Sequence, residues 1–235
     1  MATLEERKEL AAEKLEQYGQ THVLKYYDTL TEEEKGKLLT QIEQTDLSVT
    51  KYVHHREELP GRGEITPLKA LEISEIQKRE KEYHAIGLEQ IRAGKVAAVL
   101  LAGGMGTRLG SDNPKCMYDI GLTHPVYIMQ RLVENMMDVV HEAGRFFPFF
   151  IMTSDKNHDA TVSFMKEHAY FGYDPEMVFF FRQDMAPATD YDGKIYMENR
   201  FRMASSPNGN GGWFSSMNKA GLLDKLHELG VEWLN

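Results

Sequence analysis

Residues 95–104, KVAAVLLAGG, limit the possible folds more than any other stretch. An unbroken run of small and β-branched apolar residues is the mark of a strand covered on both faces, as in a parallel sheet. The chain then places Gly103, Gly104, Gly106 and Gly110 within eight residues. In open parallel sheets, ligands settle at the carboxyl ends of strands. The bare backbone begins at such an end.

Downstream, helical and strand periods alternate. PVYIMQRLVENMMDVVHEAG reads as a helix, FPFFIMTS as a strand, NHDATVSFMKEHAYFG as a helix and EMVFFFRQ as a strand. GKIYMEN and FRMAS read as short strands, GGWFSSMNKAGLLDKLHELG as one helix, and VEWLN as the start of another strand. This order predicts a doubly wound α/β sheet. Upstream, residues 3 to 58 carry helical spacings, including GQTHVLKYYDTL, and Thr31 with Glu34 forms a capping-box pattern. ELPGRGEITP at 58–67 is a Pro- and Gly-punctuated break. The expected organisation is a helical lobe over 1–60 and an α/β domain over 61–235.

Composition narrows the function classes. A formal net charge of −9 disfavours nucleic acid and anionic membrane as partners. An acidic chain can still hold an anion, but only in a local cationic pocket. The single cysteine, Cys116, excludes an internal disulfide and points to a reducing, cytoplasmic setting. No apolar run reaches membrane-spanning length, and the charged N-terminus lacks a signal-peptide core.

The glycine loop suits an anion. Glycines let backbone N–H groups approach a ligand, and Arg108 and Lys115 add two full charges. A tight connection beside a sheet would also use glycine. The dinucleotide fingerprint fails, because Leu109 stands where its third glycine belongs. The P-loop fails too, because the loop runs into LGSD rather than Gly-Lys-Ser/Thr.

The combination Leu101-x-x-Gly104-x-Gly106-Thr107-Arg108, followed by Pro114-Lys115, resembles the signature of sugar nucleotidyltransferases. LLAGGMGTRLGSDNPKCMYDIGL is similar to the eukaryote-type UDP-sugar pyrophosphorylases, and within them to the UDP-N-acetylglucosamine branch and its bacterial relatives. GQTHVLKYYDTLTEEEKGKLL, FIMTS, FFFRQDMAPATDYDGKI and SPNGNGGWFSSM extend the likeness over nearly the whole chain. The resemblance implies a Rossmann-like, GT-A-like nucleotidyltransferase fold with a mixed sheet. It also implies transfer of uridylate from UTP to a hexose 1-phosphate, with N-acetylglucosamine 1-phosphate first and the glucose or galactose forms next.

By the same resemblance, the backbone of Leu101, Ala102, Gly103 and Gly104 lies against uracil and ribose, and Gly106 and Thr107 complete the loop. Gln183 reads the uracil edge, Gly209 faces the base, Asn210 contacts the sugar, Arg108 grips the triphosphate and Lys115 bears on the α-phosphate. On residue type alone, Gln183 could equally cap a loop, Asn210 occupy a turn, and Arg108 pair with a surface carboxylate.

Two departures stand out. Cys116 occupies a position where the family has glycine; a thiol there is either reactive beside Lys115 or a compact filler. The family's Asp-Asn pair, whose Asp binds Mg²⁺, is absent, so no metal ligand is assigned and the chain reads as a truncated or fragmentary form. A nucleotide-binding or interaction module without turnover is the alternative. The histidines make no metal motif, His54 and His55 are expected on the surface, and TDYDG reads as a turn.

Overall fold

The structure, a computed structural model, describes residues 2–57, 63, 64 and 66–235, with the side chains of 54–57 outside that description. The break expected at 58–67 therefore lies largely outside the described residues, and the expected surface setting of His54 and His55 wholly so.

In chain order the helices are α1 (Leu4–Gln17), α2 (Glu32–Gln44), α3 (Ile73–Lys78), α4 (Glu80–Arg92), α5 (Ile128–Ala143), α6 (His158–Glu167), α7 (Trp213–Lys219) and α8 (Leu222–Glu228). The strands are β1 (Val96–Leu101), β2 (Phe149–Thr153), β3 (Val178–Arg182), β4 (Met185–Pro187), β5 (Met197–Asn199), β6 (Arg202–Met203), β7 (Ser205–Pro207) and β8 (Trp233–Leu234). These elements form two compact units, Met1–Pro67 with Met185–Asn208, and Leu68–Asp184 with Gly209–Asn235. The sequence alone placed 185–208 in the α/β domain; the structure gathers it with the N-terminal helices.

The second unit holds a four-stranded sheet in the order β3-β2-β1-β8. Its neighbours all run parallel, from Ala98 opposite Phe149 through Thr153 opposite Arg182, with Val96 opposite Trp233. Among the strands named above, antiparallel pairing falls in two small ribbons of the other unit, β4 with β7 and β5 with β6.

Side chains alternate across the pleat, so each strand feeds two cores. Ala98, Leu100, Phe149, Ile151, Val178 and Phe180 join Met129 and Val133 of α5 and Phe164 and Met165 of α6. Ala97, Val99, Phe150, Met152, Phe179 and Phe181 join Met217 of α7 and Leu222 and Leu226 of α8. This two-sided cover explains why the strands read as continuous apolar runs. The chain winds β1 to β2 to β3 in one direction and then reverses to place β8 on the other side of β1. The reversal makes a topological switch point at the carboxyl end of β1.

Three helix expectations need correction. GQTHVLKYYDTL forms 3-10 turns over Thr21–Leu24 and Tyr27–Thr29 rather than an α-helix. Apolar positions three or four apart satisfy either geometry over so short a run. Residues 211–230 give two helices, because Gly221 adopts φ +71° between α7 and α8. The helix expected to reach Gly172 stops at Glu167; Tyr170 and Phe171 turn left-handed and pack against the core beneath α5 and α6.

In the first unit, Thr3 with Glu6 and Thr31 with Glu34 close reciprocal capping boxes on α1 and α2. Leu15, Val23, Tyr27, Leu38, Leu39 and Ile42 pack together with Ile195 and Met203. Two glutamines tie in the later segment. Gln20 donates to the Gly193 carbonyl at 2.8 Å and accepts from the Ile195 N–H at 3.0 Å. Gln41 holds Met203 the same way, at 2.9 and 2.8 Å. No helix among the described residues is long and apolar enough to cross a membrane.

Cys116 is buried beside α5 and α6, its Sγ 3.9 Å from Thr161 Oγ1. Burial pushes its thiol pKa up, which removes thiolate at neutral pH. The compact filler of the two earlier readings is the one this setting supports. Cys116 should label with iodoacetamide far more slowly in the native chain than in urea; equal rates would place the thiol at the surface.

Candidate functional site

The loop after β1 continues the sheet for one residue, with the Ala102 N–H donating to the Met152 carbonyl at 2.7 Å. It then folds back on itself through a bridge between Met105 and Pro114. The Gly106 N–H donates to Asn113 O at 2.8 Å and the Lys115 N–H to Gly104 O at 3.1 Å. Leu109, Gly110 and Ser111 spend their N–H groups inside the same turn. The N–H groups of Gly103, Gly104, Met105, Thr107 and Arg108 donate to no described residue. An array of unspent N–H groups in a turn can receive an anion.

Gly106 is buried, and a Cβ there would sit 3.0 Å from the Asn113 carbonyl. Its glycine is a packing requirement of the turn, and its N–H faces the protein. Thr107, Arg108 and Lys115 are exposed, and Leu101 is partly so. The Arg108 and Lys115 side chains have no ion-pair or hydrogen-bond partner among the described residues. In a chain of net charge −9, these cations beside unspent N–H groups form a local positive site.

Gln183 follows β3 and reaches the same sheet end. Its N–H donates to Thr153 O at 2.7 Å, and the residue is only 7% exposed. A Cβ added to Gly103 would lie 2.6 Å from Gln183 Nε2 and 2.9 Å from Oε1. The missing side chain at Gly103 is thus what lets the Gln183 amide lie on the loop. That amide has no hydrogen-bond partner among the described residues, which leaves a donor and an acceptor side by side.

The 209–212 segment is tied to the residue after Gln183. The Asp184 N–H donates to Ser216 Oγ at 2.8 Å, and Ser216 Oγ donates to Gly212 O at 2.8 Å. Asp184 also pairs with Lys219 at 2.8 Å, so its charge is met away from the loop cations. Gly209 takes φ +77°, ψ −179°, a region essentially confined to glycine. Gly209 and Asn210 are exposed, and neither is hydrogen-bonded to Gly103 or Gln183.

Three contributors were not singled out from sequence: Ser216, His158 and Asn157. His158 Nδ1 lies 2.7 Å from Thr153 Oγ1, whose own proton goes to Phe181 O at 3.0 Å, so the imidazole must donate from Nδ1. Burial, then the Arg182 cation, hold its pKa below the usual value. Asn157 spans from the start of α6 to the glycine loop, donating to Ala102 O at 2.9 Å. An Asn at a helix start reads as a cap, and that reading hides the longer reach.

Comparison with known proteins finds relatives in both sequence and fold. The chain is 35% identical to UDP-N-acetylglucosamine diphosphorylase 2 of Arabidopsis thaliana over 95% of its length and 48% of the relative's. It is 32% identical to UDP-N-acetylglucosamine pyrophosphorylase of Saccharomyces cerevisiae over 91% of its length and 49% of the relative's. The crystal structure of the uridine diphosphate N-acetylglucosamine pyrophosphorylase from Trypanosoma brucei, in complex with inhibitor, superposes with a TM-score of 0.77 at 26% identity, covering 100% of this chain and 51% of that one. The chain therefore spans about half the length of the curated relatives it matches. Residues 39–235 match the family described as UTP--glucose-1-phosphate uridylyltransferase, and the chain belongs to that family.

Proposed function

We propose that this chain binds UTP at the carboxyl end of its parallel sheet and serves uridylyl transfer to a hexose 1-phosphate, N-acetylglucosamine 1-phosphate first, with glucose or galactose forms next. The carrying observation is the pairing of unspent loop N–H groups with the partnerless cations Arg108 and Lys115. The names of the relatives support the reaction class. The buried thiol suits a cytoplasmic setting.

In this reading uracil lies along Leu101 to Gly104, with the Gln183 amide on its edge and the Gly209 backbone facing it. Asn210 contacts the sugar. Thr107 and Arg108 meet the triphosphate, and Lys115 meets the α-phosphate. Gly106 contributes the shape of the turn. The sugar phosphate oxygen attacks the α-phosphorus in line, a P–O bond forms, and the bond to the leaving pyrophosphate breaks. No covalent intermediate with the protein is needed, so its work is positioning and neutralising charge. The family implies Mg²⁺. Among the described residues no group of three or more His, Cys, Asp or Glu side chains converges to hold a metal ion. Mg²⁺ at nucleotide sites is usually held by one or two carboxylates together with the substrate's own phosphates, and no step is drawn through it.

A second reading is a nucleotide-binding or interaction module without turnover. Pyrophosphate release from UTP and N-acetylglucosamine 1-phosphate separates the two: release by this chain excludes the second. Silence with every hexose 1-phosphate, alongside intact UTP binding, excludes the first for this chain.

Arg108→Ala should weaken UTP binding by about 10- to 150-fold, the loss of a charge-assisted contact of roughly 1.5–3 kcal/mol. Unchanged affinity by calorimetry would take Arg108 off the phosphates. Gln183→Ala should flatten the preference for UTP over CTP and ATP. Gly103→Ala should do the same by displacing the Gln183 amide, and the double variant should lose no more than either single one. Additive losses would separate the two residues.

A further inference from the structure

Asn157 breaks a local rule. It stands immediately before α6, where an Asn side chain ordinarily accepts from an N–H of the first helical turn. It makes no such bond. The residue is 0% exposed, and its amide is spent elsewhere. Oδ1 accepts from the Ser154 N–H at 2.7 Å. Nδ2 donates to Ala102 O at 2.9 Å and, in a longer contact, to Gly104 O at 3.4 Å.

Those two carbonyls belong to the glycine loop, and their direction fixes more than themselves. In a trans peptide the carbonyl and the next N–H point opposite ways. Drawing Ala102 O toward Asn157 turns the Gly103 N–H to the opposite side. Drawing Gly104 O the same way turns the Met105 N–H out as well. Neither N–H has a partner among the described residues. Gly104 O also accepts from the Lys115 N–H at 3.1 Å, so the same contact helps seat the backbone of Lys115.

We propose that Asn157 is a positioning residue that aims the Gly103 and Met105 N–H groups at the bound nucleotide without touching it. This rests on the nucleotide reading above. The task calls for one acceptor and two donors on a short, neutral side chain, which is the inventory of Asn. Asp would keep the bond from Ser154 but, when ionised, would turn carboxylate oxygens against two carbonyls.

Asn157→Asp therefore separates positioning from simple support of the turn. If Asn157 only braced the turn through Ser154, Asp would be benign. As a positioning residue, Asp should harm UTP binding about as much as Ala does. Calorimetry with UTP should show at least a tenfold loss in both variants. In amide NMR spectra of the nucleotide-free protein, Gly103, Gly104, Met105 and Lys115 should shift in both, while Ser154 should stay in place only in Asn157→Asp. UTP affinity within twofold of the starting protein in Asn157→Asp would overturn the proposal, as would unmoved loop resonances. Should Asn157→Asp fail to fold, UTP affinity within twofold or unmoved loop resonances in Asn157→Ala would overturn the proposal in the same way. A starting protein that does not bind UTP would sink the nucleotide reading instead, and the loop resonances would still decide whether Asn157 holds the loop.

Discussion

β1 is hemmed in on every side. β2 and β8 flank it, α5 and α6 cover one face, and α7 and α8 cover the other. The chain can leave only along the strand axis, at the point where the winding reverses. The loop that emerges there meets the end of β3, so Gly103 and Gln183, far apart in sequence, become neighbours. A crevice at this position follows from strand order alone; its chemistry comes from which residues occupy the exit.

The loop divides its backbone between two tasks. Gly106, Leu109, Gly110, Ser111 and Lys115 turn their N–H groups inward and hold the turn together. Gly103, Gly104, Met105, Thr107 and Arg108 leave theirs unspent. The inward set gives the outward set a fixed geometry, which is what electrostatic stabilisation of a developing charge requires. Glycines at 103 and 106 serve opposite ends of this division. One admits the Gln183 amide, and the other clears the Asn113 carbonyl.

Much of this could be read from the residues before any coordinates. β1, β2 and β3 announce themselves as unbroken apolar runs because both of their faces are covered. The capping box at Thr31 and Glu34 is local chemistry, and it forms as written. Gly94 takes the left-handed φ of +77° just beyond α4, the conformation in which glycine commonly ends a helix. What escaped depends on tertiary context. The 3-10 turns of 21–29 share their apolar spacing with an α-helix. Gly221 could have sat inside a helix at modest cost, and only its positive φ shows a break. Asn157 looks like a cap, and nothing local says that its amide reaches back to Ala102. The gathering of 185–208 with the first helices rests on Gln20 and Gln41, whose partners lie more than 150 positions away.

That long reach has a consequence for how the polypeptide matures. During synthesis the N-terminal helices leave the ribosome well before Ile195 and Met203 exist. At about 5–20 residues per second the delay is on the order of ten seconds. Until then the seam meant for β5 and β6 lies open, with the amides of Gln20 and Gln41 turned to water and Leu38, Leu39 and Ile42 short of their cover. The lobe that is translated first is thus completed late, and a nascent chain stalled near its middle would present to chaperones the apolar seam that the finished protein conceals.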